Sequence, residues 1–499
     1  MQELTHFLGG ALAKGASGRF ADVFNPATGE VQAKVPLASA DEMNAAIAQA
    51  AEAQRAWGAT NPQKRGRVMM AMVGLMHRDM DKLAEALSRE HGKTIPDAKG
   101  DLQRGLEVIE YCIGAPQMLK GEYTDSAGPG IDMYSMRQPL GVVGAIMPFN
   151  FPAMMPLWHV GPALACGNAV VLKPSERDPS VPLMLAELFV EAGLPKGVFQ
   201  VVNGEKEAVD AILDNEIIQG VSFVGSTPIA EYIYTRATAN GKRAQCFGGA
   251  KNHMIVMPDA DLDQAADALV GASFGAAGER CMAISVAVPV GEATADALIE
   301  KLVPRMEKLK VGPYTAGDDV DMGPVVTRAA KDRILGLINS GVEQGAELVV
   351  DNRDFALQGY EDGFFVGPHL FDKVTPDMEI YKQEIFGPVL STVRAGSYEE
   401  ALSLAMDHEY GNGTAIFTRD GDTARDFANR INIGMVGINV PIPVPLAYHT
   451  FGGWKKSMFG DLNQHGPDSF KFYTRTKTVT ARWPSGIKEG GEFNFKAMD

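Results

Sequence analysis

Polar and apolar positions take up a helical period from about residue 39. Ser39-Ala40-Asp41-Glu42 reads as a capping box, and Met43, Ala46, Ile47 and Ala50 then fall on one helix face. Helical periodicity returns over about 65–89 and over 97–113. Beyond residue 140 the pattern changes to short continuous apolar runs at 141–146, 169–172, 198–202 and 221–224, which predict strands buried on both faces. A helix opened by Pro182 and closed near Gly193 lies among them. A second alternation follows, with a strand over 283–290, a helix over 293–309, and strands over 389–393 and 414–417. This order predicts an α/β protein of two domains, each built on a parallel sheet. The stretch 471–480 alternates and is rich in threonine and aromatic residues, so it predicts a late strand that another element or subunit must cover.

The run 138–172 carries no Lys, Arg, Asp or Glu. Pro139, Pro148, Pro152, Pro156 and Pro162 interrupt it, which favours buried strands and turns over a membrane helix. The 499 residues include 46 basic and 62 acidic side chains, a net charge of −16. That balance argues against nucleic acid or an anionic membrane as partner. The N-terminal residues show no basic stretch leading into an apolar one, so no signal peptide is expected. Four cysteines without a C-x-x-C pair, and nine histidines without an H-x-x-x-H or H-E-x-x-H pattern, predict neither a disulfide framework nor a metal site. A reducing cytoplasm is the expected compartment.

Five short runs carry candidate chemistry. Cys281 follows small residues and Arg280, an arrangement that admits a substrate and favours the reactive thiolate; the alternative is an inert buried cysteine. Phe223-Val224-Gly225-Ser226-Thr227 ends a strand in a turn able to hold a pyrophosphate, or is an ordinary glycine turn. Lys173-Pro174-Ser175-Glu176-Arg177 offers a ribose-binding carboxylate, or is a solvated turn. Pro148-Phe149-Asn150-Phe151-Pro152 presents a fixed amide for a developing oxyanion, or a structural asparagine. Glu384-Ile385-Phe386-Gly387-Pro388 presents a second ribose-binding carboxylate, or a turn cap. Gly92-Lys93-Thr94 looks like the end of a phosphate-binding loop, but Leu87 stands where that loop needs its first glycine, so the reading fails.

In this order, these five runs resemble the aldehyde dehydrogenase family over nearly the whole chain. The resemblance implies a nucleotide-binding domain of residues 1–120 and 140–247 and a catalytic domain of residues 248–450. Residues 121–139 and 451–499 would form a small β arm that bridges subunits in a homotetramer. It implies NAD as cofactor. Cys281 would be the nucleophile, with Asn150 and the Cys281 amide as oxyanion donors. Lys173 and Glu176 would hold the adenosine ribose, Gly225 and Ser226 the pyrophosphate, and Glu384 the nicotinamide ribose. Phe149, Arg177 and Phe386 are further expected cofactor contacts.

One departure narrows the expectation. Where most of the family places a glutamate general base, this chain has Phe247, in Phe247-Gly248-Gly249-Ala250-Lys251-Asn252-His253. A phenyl ring takes no proton. The chain therefore resembles the branch that passes its acyl group to coenzyme A, the methylmalonate-semialdehyde dehydrogenases, as do Gly278-Glu279-Arg280-Cys281-Met282 and the proline-rich run at 439–445. The resemblance implies oxidation and decarboxylation of methylmalonate or malonate semialdehyde, as in valine or inositol catabolism, with Arg104 and Arg280 binding the substrate carboxylate. Ala230 departs from a glycine common in the pyrophosphate turn. A hydrolytic aldehyde dehydrogenase and a non-catalytic scaffold are the competing readings.

Overall fold

The computed structural model describes residues 2–317 and 319–483; residues 484–499 of the expected arm lie outside that range. The capping box forms as expected at the start of Ala40–Ala59. The Ser39 hydroxyl accepts the Glu42 amide at 3.3 Å, and the Glu42 carboxylate accepts the Ser39 amide at 3.0 Å. The periodicity over 65–89 resolves into two helices, Pro62–Arg78 and Met80–His91, which meet at a non-helical Asp79. The helix expected over 97–113 begins earlier, at Ile95, where the Thr94 hydroxyl caps the Asp97 amide.

An eight-stranded sheet organises the first core. Antiparallel strands His6–Leu8, Ala11–Ala13 and Met458–Phe459 close its two edges, and its parallel part starts in the middle at Val142–Ile146 and moves outward through Ala169–Lys173 and Phe199–Val201. It then returns to the other side of Val142–Ile146 for Ile218–Val224 and Arg243–Phe247. All five strands are parallel and lined by Val, Ile, Leu and Ala at almost zero exposure. The reversal leaves a crevice outside the carboxyl ends of Val142–Ile146 and Ile218–Val224.

The charge-free run differs from expectation in its middle. Between its two strands lies a helix, Met154–Ala165, with all 12 residues buried. A short helix that is apolar on every face has no amphipathic period to read, so periodicity cannot distinguish it from buried strands. Pro156 sits in its first turn, where a missing amide costs little.

The second sheet has seven strands in the order Glu347–Val350, His369–Asp372, Val389–Thr392, Ile284–Pro289, Asn252–Val256, Gly413–Phe417, Met435–Ile438. All but the first pair in parallel. The late strand begins at Thr474, because Lys471 and Phe472 still belong to the helix Gly466–Phe472. It runs antiparallel to Ile131–Pro139, from Thr474 opposite Pro139 to Arg482 opposite Ile131, with Tyr123–Gly128 beyond. Its outer edge pairs with no strand among the described residues. No helix among them is long and apolar enough to cross a membrane.

Candidate active site

The crevice at the strand reversal is a cavity of about 630 Å³. Phe149, Lys173, Glu176, Arg177, Gly225 and Ser226 all line it. The Lys173 ammonium donates to the Gly204 carbonyl at 3.1 Å and to the Glu176 carboxylate at 3.3 Å. Burial pushes the Glu176 carboxyl up, but Lys173, its own amide and Arg177 outweigh that and hold it below its ordinary value. It is therefore an ionised acceptor suited to hydroxyl groups.

Ser226 is the N-cap residue of the helix Thr227–Ala239, yet its side chain makes no capping bond and is exposed. The hydroxyl is left for an anion, whereas Pro228 has no amide and the amides of Ile229 and Ala230 already donate to the Ser226 carbonyl at 3.1 and 2.9 Å. A Cβ on Gly225 would stand 2.4 Å from the Phe223 ring, so the turn keeps its backbone bare. Ala230, the departure from glycine, is fully buried on the helix's inner face and does not line the cavity. The Arg177 guanidinium lies 4.8 Å from the centre of the Phe149 ring, and Phe149 meets the edge of Phe386 at 5.9 Å. Phe386 is itself in the left-handed region, at φ 52°. This donor set fits a dinucleotide.

Cys281 and Glu384 line one small pocket beside it. The Glu384 carboxylate accepts the Ala250 amide at 2.9 Å, and a Cβ on Gly249 would stand 2.6 Å from its Oε2. Burial pushes this carboxyl up to about 7, against the Ala250 amide, Lys251 and Arg333. Lys251 donates to the carbonyls of Ile380 at 2.6 Å and Gln383 at 2.8 Å, which fastens the segment leading into Glu384. Its ammonium is pushed down to about 7 by burial, with Glu384 pulling the other way.

Cys281 is half-buried and follows a turn under strain. Ala276, Ala277 and Gly278 have φ values of 50°, 53° and 72°. Two alanines in the left-handed region each cost about 1–2 kcal/mol. Long-range bonds hold the turn. The Asp97 carboxylate accepts the Ala276 amide at 3.2 Å, and the Cys281 carbonyl accepts from the side-chain amides of Asn252 at 2.9 Å and Asn412 at 3.0 Å. Asp97 and Asn412 carry no local motif, so sequence reasoning missed them; Asn252 lies in the run around Phe247, where sequence assigns it no role.

The electrostatics correct one expectation. Arg280 does not prevail in favour of the thiolate. Burial pushes the Cys281 thiol up to about 12 and Glu384 adds to it, against the amides of Cys281 and Met282 and the charge of Arg280. Arg280 is also engaged in an ion pair with Asp97.

Asn150 is 5% exposed, and its amide donates to the Glu279 carbonyl at 3.1 Å. On the other side of Cys281 lies a cavity of about 230 Å³ lined by Arg104, Arg280, Phe151, Trp158, Ile442, Val444 and Phe451. Arg104 is half-buried rather than solvated; it pairs with Glu107 at 2.8 Å and donates to the Val444 carbonyl at 3.4 Å. Phe247 ends its strand with 3% exposure, and its ring meets Phe451 at 6.5 Å. Position 247 is thus a buried phenyl ring, which takes no proton. No cluster of metal-ligating side chains occurs among the described residues.

Comparison with known proteins places this architecture. Residues 13–479 match the model of the aldehyde dehydrogenase family. A malonate-semialdehyde dehydrogenase of Pseudomonas aeruginosa is 56% identical over 499 residues, covering 100% of both chains. A mitochondrial, acylating methylmalonate-semialdehyde dehydrogenase of Arabidopsis thaliana is 50% identical over 480 residues, covering 96% of this chain and 78% of its own. The crystal structure of a candidate methylmalonate-semialdehyde dehydrogenase from Sinorhizobium meliloti, complexed with NAD, superposes with a TM-score of 0.97 at 69% identity, covering 98% of this chain and 99% of that one. The chain belongs to the aldehyde dehydrogenase family.

Proposed function

We propose that this protein oxidises methylmalonate semialdehyde, malonate semialdehyde or both, passing hydride to NAD and the acyl group to coenzyme A. One observation carries the reading: Phe247, a buried ring against Phe451, occupies the position of the water-activating base. The relatives named for these two semialdehydes, one of them described as acylating, support the substrate and acceptor.

NAD bound in the crevice supplies the hydride acceptor. Lys173 and Glu176 hold its adenosine ribose, Gly225 and Ser226 its pyrophosphate, and Glu384 its nicotinamide ribose, while Phe149, Arg177 and Phe386 flank it. Arg104 and Arg280 bind the substrate carboxylate, each from an existing ion pair, with Glu107 and Asp97 respectively. The Cys281 thiol gives up its proton to solvent, the thiolate sulfur bonds to the aldehyde carbon, and the carbonyl electron pair moves to oxygen. Asn150 and the Cys281 amide donate to that oxyanion. Loss of hydride leaves a thioester on Cys281. The acyl carboxylate leaves as carbon dioxide, its electrons pass toward the thioester carbonyl, and the α-carbon takes a proton. The thiol of coenzyme A displaces Cys281, giving propanoyl-CoA or acetyl-CoA and restoring the cysteine.

The test is NADH production with and without coenzyme A, with the product identified. Rapid turnover to free acid without coenzyme A sinks the acyl-transfer reading. A hydrolytic reading would need another carboxyl as base, and Glu279, two residues before Cys281, is one to test. Glu279 is buried, pushed up to about 8 by that burial, and has one oxygen without a hydrogen-bond partner among the described residues. Its other oxygen accepts the Val326 amide at 3.4 Å. The same assay on Glu279→Gln separates the two readings, because only a hydrolytic enzyme loses coenzyme A-independent turnover.

Self-association into a homotetramer through the arm belongs to the same proposal, supported by the edge of Thr474–Arg482 that pairs with no strand among the described residues. So does a reducing cytoplasm, which suits four unpaired thiols.

A further inference from the structure

Gly92-Lys93-Thr94, which fails as a phosphate-binding loop, sits against the catalytic turn. The Lys93 side chain is 1% exposed. Its ammonium donates to the main-chain carbonyl of Asn150 at 2.7 Å, meets Asp101 Oδ2 at 3.2 Å, and lies 4.4 Å from the centre of the Phe151 ring. Asp101 uses its other oxygen to accept the Met154 amide at 2.6 Å. The pair thus grips the 150–154 turn at both ends. Asn150 then donates to the carbonyl of Glu279, two residues before Cys281. An unbroken line of contacts runs from Asp101 through Lys93 and Asn150 to the chain that carries the nucleophile.

Helix geometry explains the arrangement. Asp97, Asp101 and Arg104 are spaced four and three residues apart on Ile95–Ile113, so they share one face. Asp97 holds the Ala276 amide and Arg280, Asp101 reaches the Asn150 turn with Lys93, and Arg104 lines the substrate cavity. A buried ion pair is a poor way to gain stability, since apolar replacements are often neutral or stabilising. An apolar pair could not, however, hold the Asn150 carbonyl.

We propose that Lys93 and Asp101 are positioning residues that fix Asn150, and through it the oxyanion donor, relative to Cys281. Neither acts on the substrate itself. The inference rests on the roles proposed above for Asn150 and Cys281.

Lys93→Met alone would strand a buried carboxylate, so the test uses Lys93→Met/Asp101→Asn, which removes both charges and keeps an acceptor for the Met154 amide. The paired variant is expected to stay folded and melt somewhat below the parent, since the Asn150 carbonyl loses its donor, while binding NAD with parental affinity and being alkylated at Cys281 at the parental rate. Its kcat falls by about 10–100-fold with little change in KM for the semialdehyde, the size expected of a displaced catalytic group. Asn150→Ala falls by about 10²–10³-fold. Adding the paired change to Asn150→Ala costs little more, because both act through one amide. Parental kcat in the paired variant, with Asn150→Ala impaired, overturns this inference alone. A kcat loss that tracks lost NAD affinity and lost Cys281 reactivity overturns it too, as a general structural effect. Full activity in Asn150→Ala overturns the role of Asn150 and the inference together.

Discussion

The cofactor crevice and the nucleophile turn are built by opposite means. The crevice takes Phe149, Glu176, Arg177, Gly225 and Ser226 from segments that follow the carboxyl ends of three adjacent parallel strands. Sheet topology alone brings them together, and each segment is short and local. The nucleophile turn is held by Asp97, Asn252, Asn412 and Gly387, which come from separate parts of the chain. It stores left-handed backbone at three successive residues, and Gly278 packs so close to Gly387 that a Cβ would stand 2.2 Å from its carbonyl oxygen. Binding is set by the order of strands, whereas chemistry is set by individual side-chain bonds. A substitution on the chemical side should therefore remove turnover and leave cofactor binding intact.

The largest expected effect is at the nucleophile. Cys281→Ala should lower NADH production by about 10⁴–10⁶-fold, as removal of a covalent nucleophile does. NAD affinity, read by fluorescence titration, should stay at the parental value. Loss of both would break the division between the two regions, and an active variant would favour neither the proposed chemistry nor a Cys281 role.

Asn252→Ala comes next. It removes donors to the Cys281 and Ala283 carbonyls and the acceptor of the Gly413 amide. Urea unfolding should show a loss of about 2–4 kcal/mol, since buried polar groups are left unpaired. The fall in kcat should be about 10–100-fold, the price of a nucleophile that has drifted. A stable variant with parental kcat would show that Asn412 suffices to hold the Cys281 carbonyl.

The pH response sharpens the same contrast. Burial outweighs Arg280 and puts the Cys281 thiol up at about 12. At neutral pH the free protein therefore holds almost all of this sulfur as thiol. The thiolate fraction, and with it the rate of alkylation by iodoacetamide, should rise about tenfold per pH unit from pH 7 to 10. Cys112, Cys166 and Cys246 are buried, so Cys281 is the cysteine read by this reagent. A plateau near pH 7 would mean that Arg280 prevails after all.

The same division governs what the sequence makes legible. Apolar runs and caps announce the two sheets because strand burial and helix ends leave local signatures, as with Ser39 and Glu42. The crevice segments are legible for the same reason: each is a strand followed at once by its chemistry. Met154–Ala165 is hidden because a helix buried on every side has no polar face. Lys93, Asp97 and Asp101 are hidden because their partners, Asn150, Ala276 and Met154, lie far along the chain. Arg280 misled for a related reason: sequence shows the arginine beside the cysteine but not the carboxylate that engages it or the burial that outweighs it.

Ser226→Ala should give the smallest effect and the cleanest view of the binding side. Ser226 is exposed, lines the crevice and makes no capping bond, so the fold does not depend on its hydroxyl. Most N-cap serines contribute about 1 kcal/mol to stability, and their loss lowers the melting temperature. Here no such bond exists to lose, and the melting temperature should stay where it is. What the substitution removes is one hydrogen bond to the cofactor, about 1 kcal/mol, or a rise of several-fold in KM for NAD. At saturating NAD, kcat should match the parent, because the lost contact holds cofactor equally before and during the reaction. An unchanged KM together with a lower melting temperature would mean that the hydroxyl caps its helix in solution and that the pyrophosphate is held by the backbone alone.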